Sequence, residues 1–328
     1  MKPTPILLDV DAGVDDTLAI MFALLSPSLD VRAITTVAGN APVHFCTRNV
    51  LLTLDRLSPF VSSIPPVAQG TPKPLRRKLF TALDVHGPDG IGGAAALYSK
   101  PVIRPIRAGA VETILAVVER NPDLTIVATG PLTNIAVAMK KNFRAMRRVR
   151  EIVVMGGAFK GSWNTGPAAE FNFYVDPDAA DYVLHSEVPV RLIPLNVTEQ
   201  CFLTPRDLRA IAEPSLRKYV EAVTRFYFQF HRRSLGIAGG YLHDPLAVAA
   251  VAHPALLESE EGYVYVETKG MYARGLSLFH PPLDVRKEAE LPAWVKTAQR
   301  RPPSVRVATG VDASSFKRKF LDTLKQKR

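Results

Sequence analysis

Four aspartates fall within eight positions near the start of the chain, in the run Asp9-Val10-Asp11-Ala12-Gly13-Val14-Asp15-Asp16. So many carboxylates in one tight loop repel one another unless a positive charge sits among them. A hard cation with oxygen ligands meets that condition. Asp15 and Asp16 also stand where a helix would begin, and an isolated acid pair there reads as a cap favoured by the helix dipole. Capping needs neither Asp9 nor Asp11, so the complete spacing points to a metal-holding loop.

Other groups able to do chemistry are spread along the chain. Asn40 ends Ala38-Gly39-Asn40, and His86 opens His86-Gly87-Pro88-Asp89-Gly90. Thr129 and Asn134 bracket Thr129-Gly130-Pro131-Leu132-Thr133-Asn134, while Met155 leads into Gly156-Gly157 and a long polar stretch containing Glu170 and Asn172. Tyr227 and His231 are four apart in an aromatic-rich segment, so a helix places both on one face. Core packing is the usual purpose of such a stripe, but two polar tips on it suit a binding wall as well. Asp244, in His243-Asp244-Pro245, is ordinary turn chemistry when taken alone.

The elements that must position these groups alternate. Apolar, strand-type runs cover 6–10, 31–37, 124–128, 152–155 and 190–195, with helical spacing over 18–25, 43–57 and 109–120. Helices are also expected after Asn134 and from Asp176-Pro177-Asp178, where proline falls in the first turn. Such alternation predicts an α/β fold with a mostly parallel central sheet flanked by helices. Residues 58–93 show little regular pattern, and a passage that long is usually functional or mobile. Further on, 215–233 reads as a long helix broken by Gly236-Ile237-Ala238-Gly239-Gly240, followed by an apolar helix from Leu246. A last strand at 305–308 and a basic amphipathic helix at 314–327 close the chain. Asp11/Asp15/Asp16, Asn40, Thr129/Asn134, Met155-Gly156-Gly157 and Asn196 all follow the carboxyl end of an expected strand. Ligands of open α/β sheets bind outside those ends.

The 328 residues are 47% hydrophobic and 22% charged, ordinary values for a globular protein with ample core. They read as one domain over 1–328, with a basic C-terminal segment from about 286. That segment, Arg286 to Arg328, carries 12 Lys/Arg against 4 Asp/Glu, which is +8 of the total +10. A solvated helix face explains it better than nucleic-acid binding, for which no aromatic-basic motif is present. Cys46 and Cys201 have no metal or redox spacing and read as reduced apolar residues of a cytoplasmic protein. No apolar stretch approaches bilayer length, and no secretory leader is evident.

Taken together, the motifs resemble those of the inosine-uridine-preferring nucleoside hydrolases. The pieces are the run from Asp9 to Asp16, Ala38-Gly39-Asn40, His86 to Gly90, Ala128 to Asn134, Met155-Gly156-Gly157, Glu170-Phe171-Asn172 and His243-Asp244-Pro245, in family order over most of the chain. The resemblance implies an open, Rossmann-like fold and calcium-dependent cleavage of the N-glycosidic bond of ribonucleosides, in purine and pyrimidine salvage. By motif position, Asp11, Asp16, Asp244 and the Thr129 carbonyl would hold Ca2+, with Asp11 also the general base. Asp15, Asn40 and Asn172 would contact ribose hydroxyls, Asn164 and Glu170 the 5′ end, and Met155 the sugar face. His243 would protonate the leaving base, with His86, Tyr227 and His231 near it. A homodimer or homotetramer is the family's usual state. Two places depart from the family. A second aromatic hydroxyl near the base is replaced by His231. The late strand that commonly ends in aspartate reads Gly275-Leu276-Ser277-Leu278-Phe279-His280.

Two other readings follow from the same residues. A strand ending Asp9-Val10-Asp11 also resembles the nucleophile strand of haloacid-dehalogenase-type phosphatases, with Asp9 attacking phosphorus beside magnesium. The basic tail alone suggests a non-catalytic nucleic-acid binder, which salt-dependent retention on DNA or RNA would reveal.

Overall fold

A computed structural model describes residues 2–282 and 305–325. Residues 283–304 and 326–328, which hold part of the basic C-terminal segment, lie outside the described residues. The strands are β1 (Thr4–Val10), β2 (Leu29–Thr36), β3 (Val67–Gln69), β4 (Thr125–Ala128), β5 (Glu151–Met155), β6 (Val190–Ile193), β7 (Phe202–Leu203), β8 (Gly240–Tyr241), β9 (Leu257–Val266), β10 (Ser277–His280) and β11 (Val305–Val311). Nine of them form one sheet in the order β10-β9-β11-β6-β5-β4-β1-β2-β3, and β7 pairs with β8 in a small separate ribbon. From β11 to β3 every neighbouring pair is parallel, whereas β9 and β10 add antiparallel at one edge.

The helices are α1 (Val14–Leu25), α2 (Val43–Leu57), α3 (Leu83–His86), α4 (Ala110–Arg120), α5 (Thr133–Lys141), α6 (Phe143–Met146), α7 (Phe171–Val175), α8 (Pro177–Leu184), α9 (Leu195–Thr198), α10 (Pro214–Leu235), α11 (His243–Ala252) and α12 (Ala313–Lys325). They cover both faces of the sheet, which is why Ile6, Leu7 and Leu8 of β1 are consecutive apolar residues rather than alternating with polar ones, Asp9 being the one buried acid among them. Ile6, Leu8 and Val10 join the core under α1, α2, α10 and α11, while Leu7 joins the core under α4, α5 and α8. Truncating a buried residue such as Leu8 to alanine would cost about 2–5 kcal/mol.

The chain runs β1, β2, β3 outward in one direction, then returns to set β4 on the other side of β1. The loops after β1 and β4 therefore diverge at a reversal of strand order, the place where such sheets open a crevice. The aspartate loop and Thr129 occupy those two loops.

Two strands of the nine-stranded sheet escape a reading of the sequence, as do the two short ribbon strands β7 and β8. β3 lies inside the stretch that shows little pattern, because three residues bounded by Pro65-Pro66 and Gly70 carry no periodicity. β9 contains Glu258, Glu260 and Glu261, whose charge hides its strand character. They are tolerated because that half of the strand is solvent-exposed while Val264 and Val266 face the core. β10 lies at the far edge of the sheet, so His280 stands at the sheet's margin and away from the aspartate loop.

Candidate active site

The loop between β1 and α1 turns sharply. Ala12 takes a left-handed backbone (φ 29°), unusual for a residue with a side chain, and the next residue, Gly13, leaves no room for one. A Cβ on Gly13 would meet His86 Nδ1 at 2.6 Å, and one on Gly39 would meet Asp11 Oδ2 at 2.1 Å. The loop is thus packed to contact. Asp16 closes it by accepting from the Gly13 N–H at 2.8 Å.

Asp15, Asp16 and Asp244 bring one oxygen each to within 4.8 Å of the others, the third arriving from the start of α11. Asp11 lies against Asp16, and its Oδ2 accepts from the Asn40 N–H at 2.7 Å. All four carboxylates are buried. Burial raises the pKa of each, and the neighbouring acids push Asp11, Asp15 and Asp244 further in the same direction. Asp11 Oδ1 and Asp15 Oδ1 are buried without a hydrogen-bond partner. Four converging carboxylates with orphaned oxygens and no buried Lys or Arg among them fit a hard cation.

The polar groups beside this cluster are firmly placed. Thr129 Oγ1 donates to Asp16 Oδ1 at 2.7 Å, and Asn40 Nδ2 donates to Asp16 Oδ2 at 3.3 Å. The Thr129 carbonyl accepts from Asn172 Nδ2 at 2.7 Å, which occupies one of its two lone pairs. Asn172 Nδ2 also reaches the Met155 carbonyl at 3.1 Å, so the ends of β4 and β5 are tied through one carboxamide. Glu170 caps α7, accepting from the backbone N–H groups of Gly157, Asn172 and Phe173. Burial nonetheless lifts its pKa to about 7. Asn164 stands at the exposed rim, its backbone paired with Ala169.

The opposite wall is aromatic. His86 and Tyr227 stack at 5.6 Å, Tyr227 and His231 meet edge-on at 4.2 Å, and Tyr241 lies 5.2 Å from both His231 and His243. His86 Nδ1 accepts from the Val14 N–H at 3.1 Å, and His231 Nδ1 faces the Tyr227 carbonyl at 2.9 Å. Burial depresses all three imidazoles, His86 and His243 to about 3.

Between the two walls lies a cavity of about 460 Å³, a common size for a small-molecule site. Asp15, Asn40, His86, Thr129, Met155, Asn164, Glu170, Asn172, Tyr227, His231, His243 and Asp244 line it, as the sequence motifs require of a shared site. Asp11 and Asp16 sit beneath it. Asn196 does not reach it, since its carboxamide accepts from the Phe159 N–H. Sequence reading misses Phe80, Trp163, Glu199 and Tyr241, which also line the cavity. Of these only Tyr241 carried a signal, standing two residues before His243. Asp9 is fully buried, and its Oδ1 accepts from Thr35 Oγ1 at 2.5 Å and Asn134 Nδ2 at 2.8 Å. It is a structural acid outside the cavity and no phosphoryl nucleophile. Cys46 and Cys201 are buried free thiols, Cys46 donating to the Asp11 carbonyl.

Acids and carboxamides gathered at the carboxyl edge of an open parallel sheet, facing an aromatic wall across a small cavity, define an α/β enzyme for a small polar substrate with a ring to stack. The sequence profile of the inosine-uridine preferring nucleoside hydrolases matches residues 6–318. The pyrimidine-specific ribonucleoside hydrolase RihA of Escherichia coli K12 is 40% identical over 279 residues, 84% of this chain and 88% of that one. The structure superposes on a plant nucleoside hydrolase, PpNRh1, with a TM-score of 0.90 at 34% identity, covering 99% of this chain and 100% of that one. A purine-preferring ribonucleoside hydrolase from Gardnerella vaginalis gives 0.84 at 31% identity, with 98% of each chain covered. The chain belongs to the inosine-uridine preferring nucleoside hydrolase family. It is a ribonucleoside hydrolase, acting on N-glycosyl bonds. Among the described residues no helix is long and apolar enough to cross a membrane.

Proposed function

We propose that this chain hydrolyses ribonucleosides with calcium bound by Asp11, Asp16, Asp244 and the Thr129 carbonyl, and that it favours pyrimidine bases. The observation that carries the metal is the buried carboxylate cluster, whose orphaned oxygens a cation would satisfy. Asp15 belongs to that cluster by distance, so it serves both the cation and the ribose. Bound there, calcium would supply the positive charge that keeps these acids ionised and favours oxygen ligands beside them.

The chain's own residues do the rest. Asp11, steadied through Oδ2 by the Asn40 N–H, takes the proton of the attacking water as its oxygen bonds to the anomeric carbon. Asp15, Asn40 and Asn172 hold the ribose hydroxyls, and Met155 packs on the sugar face. Their binding energy orients the anomeric carbon toward the water. Asn164 and Glu170 bound the 5′ end. The N-glycosidic bond breaks with its electron pair passing to the base, which receives a proton from His243 between Tyr227, His231 and His86. The pyrimidine preference rests on that His-Tyr wall and on the pyrimidine-specific relative. An assembly of two or four copies is part of the same reading.

Free-base release from uridine, cytidine, inosine and adenosine, with and without chelator, tests it. Uridine and cytidine should be cleaved faster than the purines, and chelator should abolish turnover until calcium is restored. Full activity in chelator, or a structure grown in calcium with the carboxylate cluster unoccupied, would defeat the metal assignment.

A further inference from the structure

A second cavity, of about 550 Å³, lies between α2, the end of β3 and residues 95–104. It shares no residue with the catalytic cavity, although both touch the same loop, Asp89 lining one and His86 the other. Its volume is that of a small-molecule site. Two properties of the lining set it apart from an ordinary surface hollow.

The first is positive charge held in place. Arg48, Lys100 and Arg104 line the cavity, and Asp89 is the one acid on its lining. Asp89 is already engaged, its oxygens accepting from the backbone N–H groups of Ile91, Gly93 and Ala95 at 3.0, 2.7 and 3.0 Å. It stands 4.0 Å from Arg48, at the outer limit of an ion pair. Among the described residues Lys100 and Arg104 have no acid partner, so the lining is positive on balance and draws anions. Arg48 cannot swing away as a solvated arginine would. Its guanidinium lies over the Phe45 ring at 4.8 Å, and its Nε and Nη2 donate to Asn49 Oδ1 at 3.3 and 3.0 Å. Nη2 also donates to the Asp89 carbonyl at 3.1 Å. Asn49 is locked in turn, donating to the carbonyls of Ala12 and Asp89. Nη1 has no partner among the described residues. A guanidinium fixed with donors to spare takes an anion with little loss of side-chain freedom.

The second property is an apolar wall. Leu51, Leu52, Ala95, Pro101 and the ring of Tyr98 belong to the same lining, and Tyr219 holds the Tyr98 ring edge-on at 5.4 Å. A bare inorganic anion would use the charges and leave that wall in water. A ligand with a ring would cover it.

We propose that this cavity binds a small organic phosphate, with the phosphate at Arg48, Lys100 and Arg104 and a flat apolar ring against Leu51 and Tyr98. Guanidinium and phosphate match in geometry as well as in charge. The site needs neither the metal nor the leaving-group acid, so it stands whatever becomes of those assignments.

Calorimetric titration of the full chain with phenyl phosphate tests it. Phenyl phosphate should bind saturably, and at least about fivefold more tightly than inorganic phosphate, because the ring removes apolar surface from water. The double variant Lys100→Gln, Arg104→Gln alters exposed side chains only, so it should keep its Tm. Its affinity for both probes should fall by about tenfold or more. Tyr98→Ala should weaken phenyl phosphate and leave inorganic phosphate nearly unchanged. Saturating phenyl phosphate should not raise KM for nucleoside hydrolysis. The proposal is overturned by no binding at millimolar probe, by equal affinity for the two phosphates, or by full affinity in the double variant. Competition with the nucleoside overturns it too, since the probe would then sit in the catalytic cavity.

Discussion

The two walls of the cavity are built on different principles. The wall proposed to hold the sugar, from Asp11 to Asn172, comes from the ends of β1, β2, β4 and β5 and the helix starts that follow them, and apart from the orphaned Asp11 Oδ1 and Asp15 Oδ1 many of its polar groups meet a backbone group or another acid. The wall proposed to face the base comes from α10, α11, the ribbon strand β8 and the short helix that ends in His86. It is held by ring contacts and by single hydrogen bonds to ring nitrogens. Strand ends locate a ligand by fixed backbone, which suits a substrate part that never varies, the ribose. Side chains on helices are free to change without disturbing the sheet, which suits the part that does vary, the base. The contrast explains how one family holds pyrimidine-specific and purine-preferring relatives of the same fold.

Changes on the sugar side should be the most damaging. Asp11→Asn keeps the shape and one acceptor but cannot take a proton, and kcat should fall on the order of 10²–10⁴ with a smaller change in KM. Asp9→Asn is the control, because its oxygen can still accept from Thr35 and Asn134. It should keep kcat within a few-fold and lose about 1–3 kcal/mol of stability from a newly unpaired buried amide. If Asp9→Asn silences the enzyme while Asp11→Asn works, the order of the two acids is reversed and the phosphatase-like reading returns.

On the base side, His243→Ala should cut kcat for inosine by more than about tenfold, with a much smaller loss on p-nitrophenyl riboside. Matching losses on the two substrates would make His243 a support for the sugar wall and dissolve the distinction between the walls.

The walls should also differ in how pH acts on them. Asp9 and Glu170 are raised to about 7 from 3.8 and 4.5, and the Asp11, Asp15, Asp16 and Asp244 cluster is raised too. A raised acid binds its proton more tightly in the folded state, so folding is favoured as pH falls through the folded pKa toward the unfolded one. In chelator, Tm should therefore rise from pH 8 to pH 5 (roughly the window between those values). With calcium the cluster stays ionised and the gain should shrink or reverse. The buried imidazoles, depressed below 6.5, oppose that gain only below about pH 6.5, so calorimetry between pH 8 and pH 6.5 decides: a chelated protein whose Tm does not rise over that range contradicts the burial of these acids.

The smallest effect is expected from His231→Ala, which should alter the ratio of uridine to inosine cleavage by several-fold while leaving the summed rate nearly unchanged. An unchanged ratio would remove His231 from base selection.

Much of the sheet is legible in the sequence because strands buried on both faces must be apolar throughout, and their ends must carry the loops. The two strands of that sheet that were missed, β3 and β9, fail that rule for opposite reasons, one too short and one exposed along half its length. The site was legible where a motif is local. The aspartate loop, Asn40, Thr129 and Glu170-Phe171-Asn172 each announce a turn chemistry that holds within a few residues.

Partnerships between distant segments belong to the tertiary structure. Nothing near Asp244 says that its oxygen will join those of Asp15 and Asp16, or that Asp9 will be spent on Thr35 and Asn134. Sequence by itself determined which side chains could do chemistry and which end of the sheet they would occupy, because strand ends and helix caps depend on short-range pattern. Their roles were decided only by the closing of the sheet and the docking of α10 and α11, because burial and a partner's lone pair, set from across the fold, determine whether an acid ionises or an imidazole gives or accepts.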